Sequence, residues 1–201
     1  MLLSVLAYDG VDDLDLFGAY SVLCKGADAA AGRAPAVSVR ITAADRAVTT
    51  SAGVRITAED DLATLVSSDA AVVPGGRGAV AAAGTEQVLA ALRDAHARGC
   101  RLYAVCSGTL LIAAAGLAKE RALAVHHAKA DQLRAAGARE VSAGLVRSDG
   151  ICSVGGDRSP SVKSVDAAFA VLADLLPDTV HAVCSRMELI PGRRATARLV
   201  P

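Results

Sequence analysis

Cys106 stands between two apolar runs, "RLYAV" (101–105) and "TLLIAAAGL" (109–117), with only Ser107 and Gly108 to make the joint. A side chain at such a strand-to-helix turn is lifted above the sheet edge, where a nucleophile needs to be and a core residue does not. The following helix turns its N-terminal amides and positive dipole end toward the sulfur, which suits a nucleophile that works as an anion. The pattern is A-x-C-x-G, with Ala104 in place of the first glycine of the hydrolase elbow. Set against the nucleophile is the plainer reading of a buried cysteine in a tight crossover. Asp15 is the first candidate partner. It lies between Leu14 and Leu16 at the start of an apolar helical run, and Asp12 and Asp13 are available to cap that run. Asp15 is thus either a solvated first-turn acid or a buried carboxyl beside the sulfur. In the second case desolvation and the nearby negative charge raise its pKa, so that it gives a proton near neutrality and later takes one from water. Gly75 and Gly76 follow the apolar run "AAVVP" and, with the main chain at Ser107, offer amides to a developing negative charge; a plain turn is the alternative. His126 ends a short strand after the elbow helix. It fits either a Cys–His pair or a hydrogen-bonded surface position.

The elements that must position these residues follow from periodicity. Short, nearly continuous apolar runs at 2–8, 36–44, 68–76 and 100–106 read as strands buried on both faces. Residues 47–59 alternate and turn at Ser51-Ala52-Gly53, a small hairpin. Helical spacing covers 14–28, 85–99 with a Thr cap and a Gly stop, 107–117, 128–138 and 160–177. Residues 121–125 form another short strand, and 139–156 read as short strands turning at Ser148-Asp149-Gly150. The segment 178–201 has no clear pattern and fits an added strand or a contact with a second subunit. Strands alternating with helices predict an α/β sandwich with a mostly parallel sheet covered on both faces, within one domain spanning 1–201. Ligands in such sheets sit beyond the carboxyl ends of the strands, where the run before Gly75 and the run before Cys106 both end.

Composition narrows the function classes. Of 201 residues 53% are apolar and 2% aromatic, and 21 basic residues balance 21 acidic ones. Nothing here marks a nucleic-acid or anionic-membrane partner. No apolar run approaches the roughly 18–20 residues of a membrane span. "MLLSVLAYDG" lacks the basic start of a signal peptide and an acidic stretch follows it, so a cytoplasmic protein is expected. The five cysteines are odd in number and form no C-x-x-C pair, which argues against a disulfide framework or a zinc site. Cys24, Cys100, Cys152 and Cys184 read as core or surface thiols. "GGRG" lacks the Lys-Ser/Thr of a phosphate loop.

Taken in order, "DDLDLFGAYSVL", "DAAVVPGG", "AVCSGTLLIAAAGL" and "RALAVHHAKADQLRAAGA" resemble the ThiJ/PfpI superfamily, flavodoxin-like relatives of class I glutamine amidotransferases. The resemblance implies a flavodoxin-like fold, a nucleophilic Cys106, an acid in the first helix, a backbone oxyanion site at the Pro-Gly-Gly loop and a homodimer. Within the superfamily the chain is most similar to the isonitrile hydratase branch and to the sensor domains of certain AraC-type regulators. This implies Asp15 as the acid and hydration of an isocyanide to an N-substituted formamide, with a small-molecule substrate and neither metal nor organic cofactor. Two other activities within the superfamily are a glyoxalase- or deglycase-like reaction on small dicarbonyls, in which His126 shuttles protons, and a non-enzymatic redox or ligand sensor. The chain departs from the branch at Phe17-Gly18-Ala19 where Thr-Gly-Pro is usual, at Ser107 for Thr, at His127 for Trp, and in "GGDRSPSVKS" where small and threonine residues are usual. These departures alter the pocket lining and leave the nucleophile and acid in place.

Overall fold

In the computed structural model, which describes residues 1–156 and 162–189, the chain alternates strands and helices. It runs β1 (Leu2–Leu6), α1 (Asp13–Ala29), β2 (Ser38–Thr42), β3 (Ala47–Thr49), β4 (Arg55–Thr57), α2 (Leu62–Val66), β5 (Ala70–Val73), α3 (Ala79–Ala82) and α4 (Glu86–Ala97). It continues through β6 (Arg101–Val105), α5 (Thr109–Ala114), β7 (Ala122–Ala124), α6 (Ala130–Ala135), β8 (Glu140–Ser142), β9 (Leu145–Ser148), β10 (Ile151–Val154), α7 (Lys163–Leu175) and α8 (Val180–Arg186).

Six strands form the central sheet in the order β2-β1-β5-β6-β10-β9. All neighbours are parallel except β9, which pairs antiparallel with β10. This is the mostly parallel α/β sheet expected. β1, β5, β6 and β10 are buried along nearly their whole length, which is why they read as continuous apolar runs. α1 and α7 pack against each other on one face, and α2 and α4 lie on the other. From β1 the chain steps one way to β2 and returns on the other side to β5. That reversal opens a crevice at the carboxyl ends of β1 and β5. Val11 and Gly76 bridge across it.

Several local expectations hold. Asp12 caps α1, its Oδ1 accepting from the N–H groups of Leu14 and Asp15 at 3.0 Å each. The hairpin of β3 and β4 forms, and so does the turn between β9 and β10, where Asp149 (φ 46) and Gly150 (φ 77) take the left-handed conformation a two-residue hairpin demands. Others are corrected. Thr85 precedes α4 but makes no side-chain capping bond. The chain leaves β6 through a 3-10 turn at Cys106–Gly108 before α5 begins at Thr109, so the elbow helix is shorter than the run 107–117 suggests. The helix stops at Ala114, and the chain turns away through Ala115 and Gly116, the latter at φ 80. The segment after 178 begins with α8, a helix rather than an added strand. Pro160, expected near the start of the last helix, and the tail beyond residue 189 lie outside the described residues.

Candidate active site

The elbow is built by close approach. Cys106 has φ 56, a conformation that L-residues adopt at a cost and that is held by the packing around it. Gly108 allows it: a Cβ there would stand 2.1 Å from the Val73 carbonyl oxygen and 2.6 Å from that of Pro74. Thr109 Oγ1 donates to the Ala124 carbonyl at 2.7 Å and ties the start of α5 to β7. Gly75 is equally constrained. A Cβ on it would lie 2.9 Å from each of Asp15 Oδ2, Cys106 Cβ and the Ser107 amide nitrogen, so acid and elbow stand on either side of this glycine.

Asp15 is buried, 6% exposed, on the first turn of α1. Its Oδ2 accepts the Gly75 N–H at 3.1 Å. Burial, helped by the charge of Asp12, pushes its carboxyl up to about 6, while Lys163 and the Gly75 amide pull the other way. Such an acid exchanges its proton about one pH unit below neutrality, within reach of working pH. The reading of Asp15 as a solvated acid is therefore set aside.

The Pro-Gly-Gly loop differs from expectation in what its amides do. The Gly75 N–H is given to Asp15, and the Gly76 N–H is donated to Ser107 Oγ at 3.0 Å. The loop clamps the acid on one side and the elbow on the other, and neither amide is turned to the cavity as a free donor. The Ser107 hydroxyl is likewise engaged with Gly76, leaving the Ser107 main chain directly after the nucleophile. Tyr8 supports the loop from below: its buried hydroxyl donates to the Pro74 carbonyl at 2.7 Å, and burial raises its pKa. His126 reaches the same cavity, but its Nδ1 accepts the Ala128 N–H at 3.2 Å, so it works as a helix cap. Burial and the positive neighbours His127, Lys163 and Lys129 lower its pKa.

These groups meet in an open cavity of about 560 Å³ lined by Asp15, Gly76, Cys106, Ser107 and His126, with Leu14 and Val80 as apolar walls and Arg77, Lys129 and Lys163 as cationic ones. The structure adds one group that sequence reasoning missed: Lys163 donates from Nζ to Cys106 Sγ at 3.1 Å. The available signal was the departure at "GGDRSPSVKS", which replaces small residues with a lysine. Among the described residues no set of three His, Cys, Asp or Glu side chains could hold a metal ion. No helix among them is long and apolar enough to cross a membrane.

Comparison with known proteins identifies a family and a fold. The model of the DJ-1/PfpI family matches residues 2–161. The isonitrile hydratase of Pseudomonas putida is 29% identical over 189 residues, covering 93% of this chain and 78% of that protein. A ThiJ/PfpI family protein from Pseudomonas syringae superposes with a TM-score of 0.80 at 25% identity, over 100% of this chain and 81% of that one. A two-domain protein from Anabaena variabilis with dj-1/thij/pfpi-like and ferritin-like domains matches with a TM-score of 0.71 at 18% identity, over 87% of this chain. This chain spans half of that protein's length.

Proposed function

This chain belongs to the DJ-1/PfpI family, and from that premise we propose that it is a cysteine-dependent hydratase that converts a small isocyanide, R–N≡C, into an N-substituted formamide. The observation that carries the reading is a cysteine held at φ 56 on a cavity wall, with a buried acid of pKa about 6 across Gly75 from it. The likeness to the Pseudomonas putida isonitrile hydratase supports the same reaction class.

In this reading Cys106 Sγ attacks the terminal carbon and a C–S bond forms. The proton held by Asp15 passes to the same carbon, giving the thioformimidate Cys–S–CH=N–R. The Asp15 carboxylate then takes a proton from water as the oxygen adds to that carbon. On collapse of the adduct the hydroxyl proton passes to the nitrogen, the C–S bond electrons return to sulfur, and the formamide leaves. Two titrations of one carboxyl thus serve both halves, which a pKa near working pH makes efficient. The main-chain N–H of Ser107 follows the nucleophile and is the donor the reading assigns to developing charge. Leu14 and Val80, 61% and 59% exposed on the cavity wall, offer an apolar R group a surface. His126, the proton shuttle expected of a dicarbonyl reaction, lines the cavity with its Nδ1 taken by the Ala128 N–H, and no observation favours that reaction over this one.

Purified protein mixed with a simple alkyl isocyanide should yield the matching formamide, read by the formyl proton in NMR, and Cys106→Ala should not. Methylglyoxal under the same conditions should give no lactate. Native protein whose Cys106 is alkylated readily but which makes no formamide would overturn the hydratase reading.

A further inference from the structure

Lys163 opens α7, 57 residues along the chain from the sulfur it touches. Three features set it there. The hydroxyl of Ser164, the next residue, donates to the Leu14 carbonyl at 2.9 Å and ties the start of α7 to the turn that carries Asp15. Gly18 makes room for that bond, since a Cβ on it would lie 2.7 Å from Ser164 Oγ. The lysine stem crosses Gly156, where a Cβ would meet Lys163 Cδ at 2.5 Å and Cγ at 2.9 Å. Gly156 has φ +78 and no side chain, and the slot it leaves directs the ammonium onto Sγ. The same ammonium acts on Asp15, opposing the burial that raises that carboxyl. Among the described residues no ion pair with an aspartate or glutamate holds Lys163 elsewhere.

We propose that Lys163 is a catalytic residue of this site, the cation paired with the Cys106 sulfur and the proton carrier for the substrate nitrogen. The cation that a Cys–His pair sets beside its sulfur is here an ammonium, with Nζ 3.1 Å from Sγ. The contact with sulfur stands on geometry alone; the proton-carrying role rests on the hydratase reading. The cycle then closes on itself. It begins with an anionic sulfur, the Lys163 ammonium and the Asp15 carboxylic acid. Sulfur attacks the isocyanide carbon and the Asp15 proton passes to that carbon, leaving a carboxylate and the neutral thioformimidate. Water adds to the carbon, the Asp15 carboxylate takes one of its protons, and the Lys163 ammonium protonates the nitrogen. This gives Cys–S–CH(OH)–NH–R with Asp15 protonated and Lys163 a neutral amine. On collapse the C–S bond electrons return to sulfur, the hydroxyl proton goes to the Lys163 amine, and the formamide leaves. Every group ends as it began, with one water consumed.

The test uses the full chain with Lys163→Met, Lys163→Gln and Lys163→Arg, each checked for a native circular dichroism spectrum. The first readout needs no substrate: the rate of Cys106 alkylation by anionic iodoacetate relative to neutral iodoacetamide at pH 7, followed by mass spectrometry. Losing a unit charge beside the sulfur should lower that ratio about tenfold in the Met and Gln variants, and Arg should retain it. The second readout is formamide formation, where Met and Gln should lose about 100-fold or more in kcat with little change in KM. Arg should stay slow, because a guanidinium keeps its proton. Restored charge selectivity without restored turnover is a split that a merely structural lysine would not produce. An unchanged alkylation ratio in both neutral variants, or unchanged kcat in either, overturns the proposal. A lowered ratio alongside a wild-type protein that makes no formamide would uphold the sulfur–lysine pair and sink the proton-carrying role together with the hydratase reading.

Discussion

The two ends of β6 each carry a cysteine, and they could hardly differ more. Cys100 enters the strand from α4. It is 3% exposed, its sulfur reaches only the Arg101 carbonyl at 3.8 Å, and burial, with Asp69 adding to it, pushes its thiol up to about 12. Cys106 leaves the strand at φ 56, half-buried, with an ammonium on its sulfur and an open cavity beyond. Five residues of β6 separate them. The polarity of a parallel sheet makes the difference. At the carboxyl edge, loops from β1, β5 and β6 converge, and the starts of α1 and α7 bring Asp15 and Lys163. Toward the other end of the strand, a structural network occupies the surface: Tyr103 donates to Asp174 Oδ2 at 2.7 Å and Arg147 pairs with the same carboxylate. Cys152, on the neighbouring β10, is pushed up to about 12 by burial and shares the inertness of Cys100.

The contrast is most severely tested by exchanging the two sulfurs' fates. Cys106→Ala should cost about a thousandfold or more in turnover, as loss of a covalent nucleophile does. Iodoacetamide should label Cys106 ahead of the partly exposed Cys24 and Cys184 in the native chain, and reach Cys100 only on unfolding. Early labelling at Cys100 would erase the distinction. Next in size, Asp15→Asn should lower turnover about 100-fold or more. This substitution also sharpens the electrostatic side of the comparison. The Asp15 pKa rises from 3.8 to about 6 on folding, so the folded chain binds this proton more tightly than the unfolded one. The resulting stabilisation is full below the unfolded value, is lost as pH rises through about 6, and leaves a buried carboxylate above it. Asn removes that charge, and at pH 8 it should stabilise the protein by about 1–3 kcal/mol in urea unfolding, with the advantage vanishing near pH 4. No gain at pH 8 would place the carboxyl in water.

Gly75→Ala should follow, with a loss of about 100-fold, because its methyl group must displace the acid and the elbow together. An active variant would mean that the loop yields without disturbing either. The smallest effect belongs to the inert end. Cys100→Ala should cost about 1 kcal/mol of stability and leave turnover unchanged, the mark of a core residue with no part in the chemistry.

The strands were legible because burial on both faces leaves an unbroken apolar run, and the elbow because Cys106-Ser107-Gly108 interrupts two such runs with small residues. The short helices α2 and α3 were not, since four or five residues are too few to display a helical period. α8 escaped for a related reason: seven residues with a single buried one, Val183, show no face. At the site, Asp15 could be singled out as an acid that the cap did not need. Whether it faced water or sulfur depended on Gly75, sixty positions away, which accepts no side chain and lends it an amide.

The sequence by itself determined the parallel α/β layering, the thiol at a strand exit and the acid at the head of the first helix, because these are written in local spacing and burial pattern. Only the tertiary structure decided what surrounds the thiol. It turned the glycine amides inward to hold acid and elbow, set His126 on the cavity wall with its Nδ1 capping the next turn, and carried Lys163 onto the sulfur. Such contacts join α7, β5 and β6 across the sheet edge, and no local pattern records which side chains meet when distant segments pack together.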